Sequence, residues 1–276
     1  MRQQIQYGCQ TYPWKMNISA YAGKVPHIIQ KTAEAGFQGL EAEICMLGDY
    51  FHKPEEVKAL LEENHIDLAA LVLHQPWEQA QETEEERQLS DEAIAFLSHF
   101  PFAKLMVSHH AGQTPRGEGE ALLTRRKNLL ACMDSVACRA AERGIVTCYH
   151  PNSAKNSLFR TAGDYKVLFE LMDRTRVGWA PDVGHIVNGG MDALTLLKEG
   201  RSRICHVHFK DRAADGAWAV MGKGDIDYPA IVRYLKESGY GGWIMVEDES
   251  PEAERDSDGV VLRDGAYMKQ FIEGGN

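Results

Sequence analysis

Four apolar, strand-like segments in the second half of the chain each end on a side chain that can bind a metal. VTCYH ends at His150, VGWAPD runs out at Asp182, ICHVHFKD carries His206 and His208, and WIMVE ends at Glu247. Side chains alternate along a strand, so His206 and His208 share a face, with His208 one level higher, and Glu247 shares its face with Met245 and Trp243. His150, Asp182, His208 and Glu247, on four neighbouring parallel strands, would converge on one point. Two imidazoles with two carboxylates suit one divalent ion such as Mn, Co, Fe or Zn, and suit Mg or Ca less well, because those prefer all-oxygen sites. Any one of these residues alone could be a hydrogen-bonded cap on a strand end. Four consecutive strands ending this way point to a site.

More polar residues crowd the same end. Asp182 opens DVGH, which sets His185 just beyond the carboxylate, and Lys210 and Asp211 follow His208. His185, Glu247 and Lys210 are the candidates to move protons. Glu41, His74 and His109, at the ends of earlier strands, are candidate substrate contacts, with His110 beside the last. Trp14 and Trp77, next to prolines, could wall a sugar site or pack inside loops. The run GKGDIDY from Gly222 to Tyr228 is a Gly-rich loop but not a P-loop, and is weak evidence for phosphate.

The elements that would hold these residues alternate in a regular order. Strands are expected over Ile5–Gln10, Gly39–Ile44, Leu68–Leu73, Ala103–Val107, Val146–His150, Val177–Ala180, Ile204–Phe209 and Trp243–Glu247. Helical patterns lie near Val25–Ala35, Pro54–Asn64, Glu84–Phe100, Glu120–Arg143, Asp164–Arg174, Asp192–Glu199, Tyr228–Ser238 and Arg263–Glu273. Strand–helix alternation implies parallel strands, and eight of each imply a single (β/α)8 TIM barrel, with a doubly wound sheet as the other arrangement. Thr161 with Asp164 reads as a capping box, and Asp227 with Pro229 opens the seventh helix. Gly36, Gly144, Gly200 and Gly239 read as helix stops, and Glu84–Glu86 as a solvated first turn. No linker or composition shift interrupts residues 1–276, so one domain is expected.

Composition sets outer limits. The 276 residues are 44% hydrophobic and 25% charged, ordinary for a soluble globular protein and enough for one barrel, which needs roughly 250 residues. A net charge of -10 disfavours a nucleic-acid or anionic-membrane partner. No apolar stretch follows Arg2 and no run is long enough to span a bilayer, so a cytoplasmic location is expected. The six cysteines are scattered without a CxxC pair and read as reduced, mostly buried thiols.

The ordered set DVGH, HVHFKD, GKGDIDY and WIMVE resembles the sugar phosphate isomerase/epimerase superfamily of xylose-isomerase-like barrels, and with YHPNS and VEDES it is most similar to the inosose dehydratase branch. The resemblance spans nearly the whole chain and is most specific from His150 to Glu247. It implies a metal held by His150, Asp182, His208 and Glu247, with His185 and Lys210 lining the site of a small-molecule sugar or polyol. Epimerases of the superfamily carry Glu where this chain has His150 and use it with the strand-eight Glu as a pair of acid/base groups. Only Glu247 of that pair is present here, which favours a dehydratase (lyase) in which a proton leaves the carbon next to a carbonyl through an enediolate. PNSAKN after His150 departs from the dehydratase pattern. Isomerisation or epimerisation shares the first steps and is the alternative. Two more distant alternatives are a sugar-binding barrel without catalysis and a zinc-dependent AP endonuclease-like nuclease. The nuclease cluster also wants a carboxylate where His150 stands and an Asp-x-His where GDIDY stands. Homo-oligomerisation is compatible with such a barrel.

Overall fold

The structure is a computed structural model that describes residues 4–109 and 114–273. Eight parallel strands form its main sheet: β1 (Gln6–Gln10), β2 (Gly39–Glu43), β3 (Asp67–Gln75), β4 (Lys104–His109), β5 (Thr147–His150), β6 (Gly178–Trp179), β7 (Val207–Phe209) and β8 (Trp243–Val246). Their order is β6-β5-β4-β3-β2-β1-β8-β7, so successive strands are neighbours and β8 returns beside β1. This is the (β/α)8 barrel expected from the alternation, with each expected strand present and its bounds shifted by a few residues. Among the described residues, no helix is long and apolar enough to cross a membrane.

The chain divides into two compact units, Met1–Ala70 with His206–Asn276, and Leu71–Cys205. In the first, β1 pairs with β8 (Gln6↔Trp243 to Cys9↔Val246) and with β2 (Gly8↔Gly39 to Gln10↔Glu41), while β8 pairs with β7 (Met245↔His208). Trp243, Met245 and Ala69 form a buried apolar cluster. Room for these large side chains comes from Gly8, where a Cβ would strike Met245, and from Gly39, where it would strike the Trp243 ring. Glu247 continues the face of Trp243 and Met245, so this packed layer is the floor beneath it.

In the second unit, β4, β5 and β6 pair in register from Leu105↔Thr147 to Tyr149↔Trp179. Ile204 bridges Trp179, and the Cys205 N–H donates to the Trp179 carbonyl at 2.9 Å, so the chain entering β7 already runs alongside β6. Tyr149 and Trp179 face the helices. There Trp179 meets Phe169 and Tyr165 with ring centroids 5.0 and 6.0 Å away. That layer explains Gly200. Its φ is -89°, so it is not a left-handed helix stop like Gly36, Gly144 and Gly239; instead a Cβ there would run into the Trp179 ring.

Local chemistry sets the helix starts. Thr161 and Asp164 close the expected capping box, and Asp227 caps the Tyr228–Glu237 helix by accepting from the Ala230 N–H. Thr83 and Glu86 close a second box, and Glu86 also accepts from the Trp77 N–H at 2.7 Å, so Glu86 is buried rather than solvated. Cys148 and Cys205 are bonded to each other, correcting the reading of six thiols. Their separation of 57 residues gave no sequence signal. Cys9, Cys45, Cys132 and Cys138 are thiols.

Candidate active site

Within the second unit, His150 ends β5 and Asp182 follows β6, both buried. Asp182 caps a six-residue helix, Val183–Asn188, that is not among the helices expected from sequence: its Oδ1 accepts from the His185 N–H at 2.6 Å. Its Oδ2 lies 3.4 Å from Nε2 of His150. One carboxylate thus orients the helix that carries His185 and faces the β5 imidazole. The His150 and His185 ring centroids are 5.7 Å apart.

His185 is anchored from behind. Its Nδ1 is 2.8 Å from Oγ of Ser153, and Nδ2 of Asn188 donates to the same oxygen at 2.8 Å. The hydroxyl accepts from Asn188 and keeps its own proton to offer Nδ1, an arrangement that suits the tautomer of His185 with its proton on Nε2. Neither Ser153 nor Asn188 was singled out from sequence. His109, which ends β4, is buried, and its carbonyl accepts from Nδ2 of Asn152 at 3.2 Å. His74 on β3 is exposed. His110 lies outside the described residues.

The first unit carries a row of alternating charges. Oε2 of Glu41 lies 2.9 Å from Nε2 of His206 and 3.2 Å from Nε2 of His208. Nδ1 of His208 is 2.8 Å from Oε2 of Glu247. Oε1 of Glu247 is 3.1 Å from Nζ of Lys210, and Lys210 in turn donates to Oε1 of Glu249 at 2.6 Å. Burial alone would raise the Glu41 pKa and lower that of His208. Coulombic attraction and hydrogen bonding between them, with His206 and Glu247 adding to it, reverse both, so Glu41 is lowered and His208 raised. A positive charge is therefore favoured where the His208 ring faces the two carboxylates.

Glu41 was expected to touch substrate. It has no exposed surface, and both neighbouring histidines lie against its carboxylate. Trp14 and Trp77 are likewise wholly buried. Nε1 of Trp14 donates to Asp258 at 2.7 Å. The GKG loop has no spare nest for a phosphate, because Oδ2 of Asp211 accepts from the N–H groups of Gly222 and Gly224, each at 2.9 Å. A short hairpin, Asp211–Arg212 with Trp218–Ala219, was also missed; it brings Trp218 back beside Lys210.

The donor chemistry fits a divalent cation. Histidine and carboxylate atoms face each other in buried pairs, where ionised carboxylates are costly unless a cation or a donor answers them. Buried histidine–carboxylate pairs at the C-terminal ends of strands, where barrel enzymes keep their active sites, put this chain in the class of TIM-barrel enzymes. Residues 29–270 match the family described as xylose isomerase-like TIM barrel, and the chain belongs to that family.

Particular relatives narrow the likeness. An inosose dehydratase from Clostridium perfringens is 27% identical over 274 residues, covering 88% of each chain. Among solved structures, a zinc-bound IOLI protein superposes with a TM-score of 0.77 at 15% identity over 98% of each chain. A D-allulose 3-epimerase from Methylomonas sp. gives 0.72 at 18% identity, again over 98% of each.

Proposed function

We propose that His150, Asp182, His208 and Glu247 together hold one divalent metal ion, and that the chain is a dehydratase acting on a cyclic keto-polyol. The observation that carries this is the pairing of buried histidine and carboxylate at the ends of β5 with β6 and of β7 with β8. The family and the curated relatives support an enzyme acting on a sugar, by lyase or isomerase/epimerase chemistry. When bound, the ion would polarise a substrate carbonyl as a Lewis acid and so acidify the neighbouring C–H.

The chain's own residues divide the remaining work. Lys210 and His208 orient the two oxygens of Glu247, which is the group to take the proton. His185, on the helix that Asp182 caps, is the group to protonate a β-hydroxyl as it leaves as water. His150, an imidazole facing Asp182, provides no second carboxylate for proton return to the opposite face, which favours elimination over epimerisation. His109 and His74, at the ends of β4 and β3, remain candidates for substrate contact.

The test is to quantify bound metal and follow keto-inositols, keto-glycosides and ketohexoses by proton NMR in deuterated water. Loss of a hydroxyl-bearing carbon with a new enol or diketone signal supports the dehydratase. Deuterium wash-in with an intact carbon skeleton instead makes the chain an isomerase or epimerase. Protein without metal, inert towards all of these substrates, removes the reading altogether.

A further inference from the structure

Among the described residues, one of the five tryptophans keeps appreciable exposed surface. Trp14, Trp77 and Trp179 are 0% exposed and Trp243 is 7% exposed, whereas Trp218 is only partly buried. It sits on the hairpin that follows β7. Nζ of Lys210 lies 5.5 Å from the centroid of the Trp218 ring and 5.5 Å from that of Tyr12, which is also partly exposed. Two rings from distant parts of the chain therefore lean on one buried ammonium. That ammonium is shared by Glu247, 3.1 Å away, and by the partly exposed Glu249, 2.6 Å away.

Lys210 thus has two partly exposed aromatic rings on it together with two carboxylates, one of them the group assigned to take the proton. Aromatic faces pack against the C–H faces of a saturated ring, and the carboxylate beside them accepts from hydroxyls. The charge pattern speaks to the ligand's charge as well. Lys210 is engaged by two carboxylates, and the loop N–H groups that could meet a phosphate are taken by Asp211.

We propose that Tyr12 and Trp218 form the aromatic wall of the substrate site, taking an uncharged, ring-form polyol whose C–H face stacks on Trp218 and whose hydroxyl is accepted by Glu249. The proposal rests on the metal-enzyme reading above for its location, and its test is separable from that reading.

The probe is myo-inositol, an uncharged ring polyol that lacks the reactive carbonyl, titrated by calorimetry into metal-loaded wild type, Trp218→Ala and Trp218→Phe. Wild type should bind it and should bind an inositol monophosphate more weakly. Trp218→Ala should bind about tenfold more weakly, as loss of one aromatic stacking partner implies. Trp218→Phe should recover most of that, and all three should hold equal metal. With a reacting keto-inositol, Trp218→Ala should raise KM and leave kcat nearly unchanged. No myo-inositol binding by wild type, equal binding by Trp218→Ala, or tighter binding of the phosphate ester each overturns the wall. Binding that depends on Trp218 in a protein that turns nothing over leaves the wall standing and removes the catalytic reading instead.

Discussion

Glu41 and His208 are joined across the first unit by a 3.2 Å contact from Oε2 to Nε2, while Nδ1 of the same imidazole faces Glu247 at 2.8 Å. If Nδ1 binds the proposed ion, Nε2–H is left to donate to Glu41, a carboxylate–histidine–metal relay that fixes the tautomer and strengthens the ligand. Glu41→Gln keeps the shape and removes the charge, so it should weaken metal binding by about 10- to 100-fold. Competition with a chromophoric chelator measures this without reference to turnover. Unchanged metal affinity would show that Glu41 serves only to neutralise His206.

A second relay fixes His185. Ser153 accepts from Asn188 and lies 2.8 Å from Nδ1, so a hydroxyl proton given to Nδ1 would hold the Nε2–H tautomer. Ser153→Ala should leave the two tautomers mixed and lower kcat by about tenfold or more, in line with the worth of one positioned acid. Nitrogen-15 shifts of the His185 ring report the tautomer directly. A single Nε2–H form in Ser153→Ala would remove Ser153 from that role.

Much of this was legible in the sequence, for physical reasons that can be named. Period-two apolar runs ending in His150, His208 and Glu247 announced both the strand and the side chain at its mouth, because a packed barrel leaves polar residues only at strand ends. Asp182 was legible as a strand end but not as the cap of a helix, since DVGH is too short to show a helical period. The histidine contacts of Glu41 were not legible, because His206 and His208 lie 165 and 167 residues away and nothing local announces them. Trp14 and Trp77 were open between wall and packing roles for the same reason, as a tryptophan beside a proline reads alike whether it faces a site or a core. Trp218 was passed over because DGAWAV shows only one aromatic in a turn-rich stretch, and its place depends on a hairpin of two-residue strands.

The same long-range logic predicts what Asp211 does. Its carboxylate accepts from the N–H groups of Gly222, Gly224 and Arg212, at 2.9, 2.9 and 2.8 Å. Asp211→Ala should strip acceptors from the loop and cost about 1–3 kcal/mol, the usual penalty for buried donors left unmade. Hydrogen exchange at Gly222 and Gly224 should quicken by more than at Leu235 in the following helix. If it does not, the loop is held by other contacts and Asp211 is not its keystone.

Acid stability should report Asp164. Arg116 donates to its Oδ1 at 2.7 Å, Arg126 contacts the same oxygen, and the N–H groups of Arg160 and Thr161 donate to Oδ2 at 3.0 and 2.9 Å. Burial would raise the Asp164 pKa, but Arg116 and these backbone donors outweigh it and lower the value well below the ordinary carboxylate range. A lowered folded-state pKa means stability that is present above the unfolded value of about 3.9 and is lost as pH falls through the folded value. Wild type should therefore lose stability below about pH 4 through this group. Asp164→Asn should be less stable at pH 7 by about 3 kcal/mol, since Arg126 is left buried without its anion. The gap between the two proteins should then narrow as pH falls below about 4, where the wild-type carboxylate begins to protonate preferentially in the unfolded chain. Urea melts at a series of pH values measure both curves. A gap that stays constant from neutral to acid pH would mean that Asp164 acts as a hydrogen-bond acceptor alone, with its charge contributing nothing to the Arg116 and Arg126 contacts.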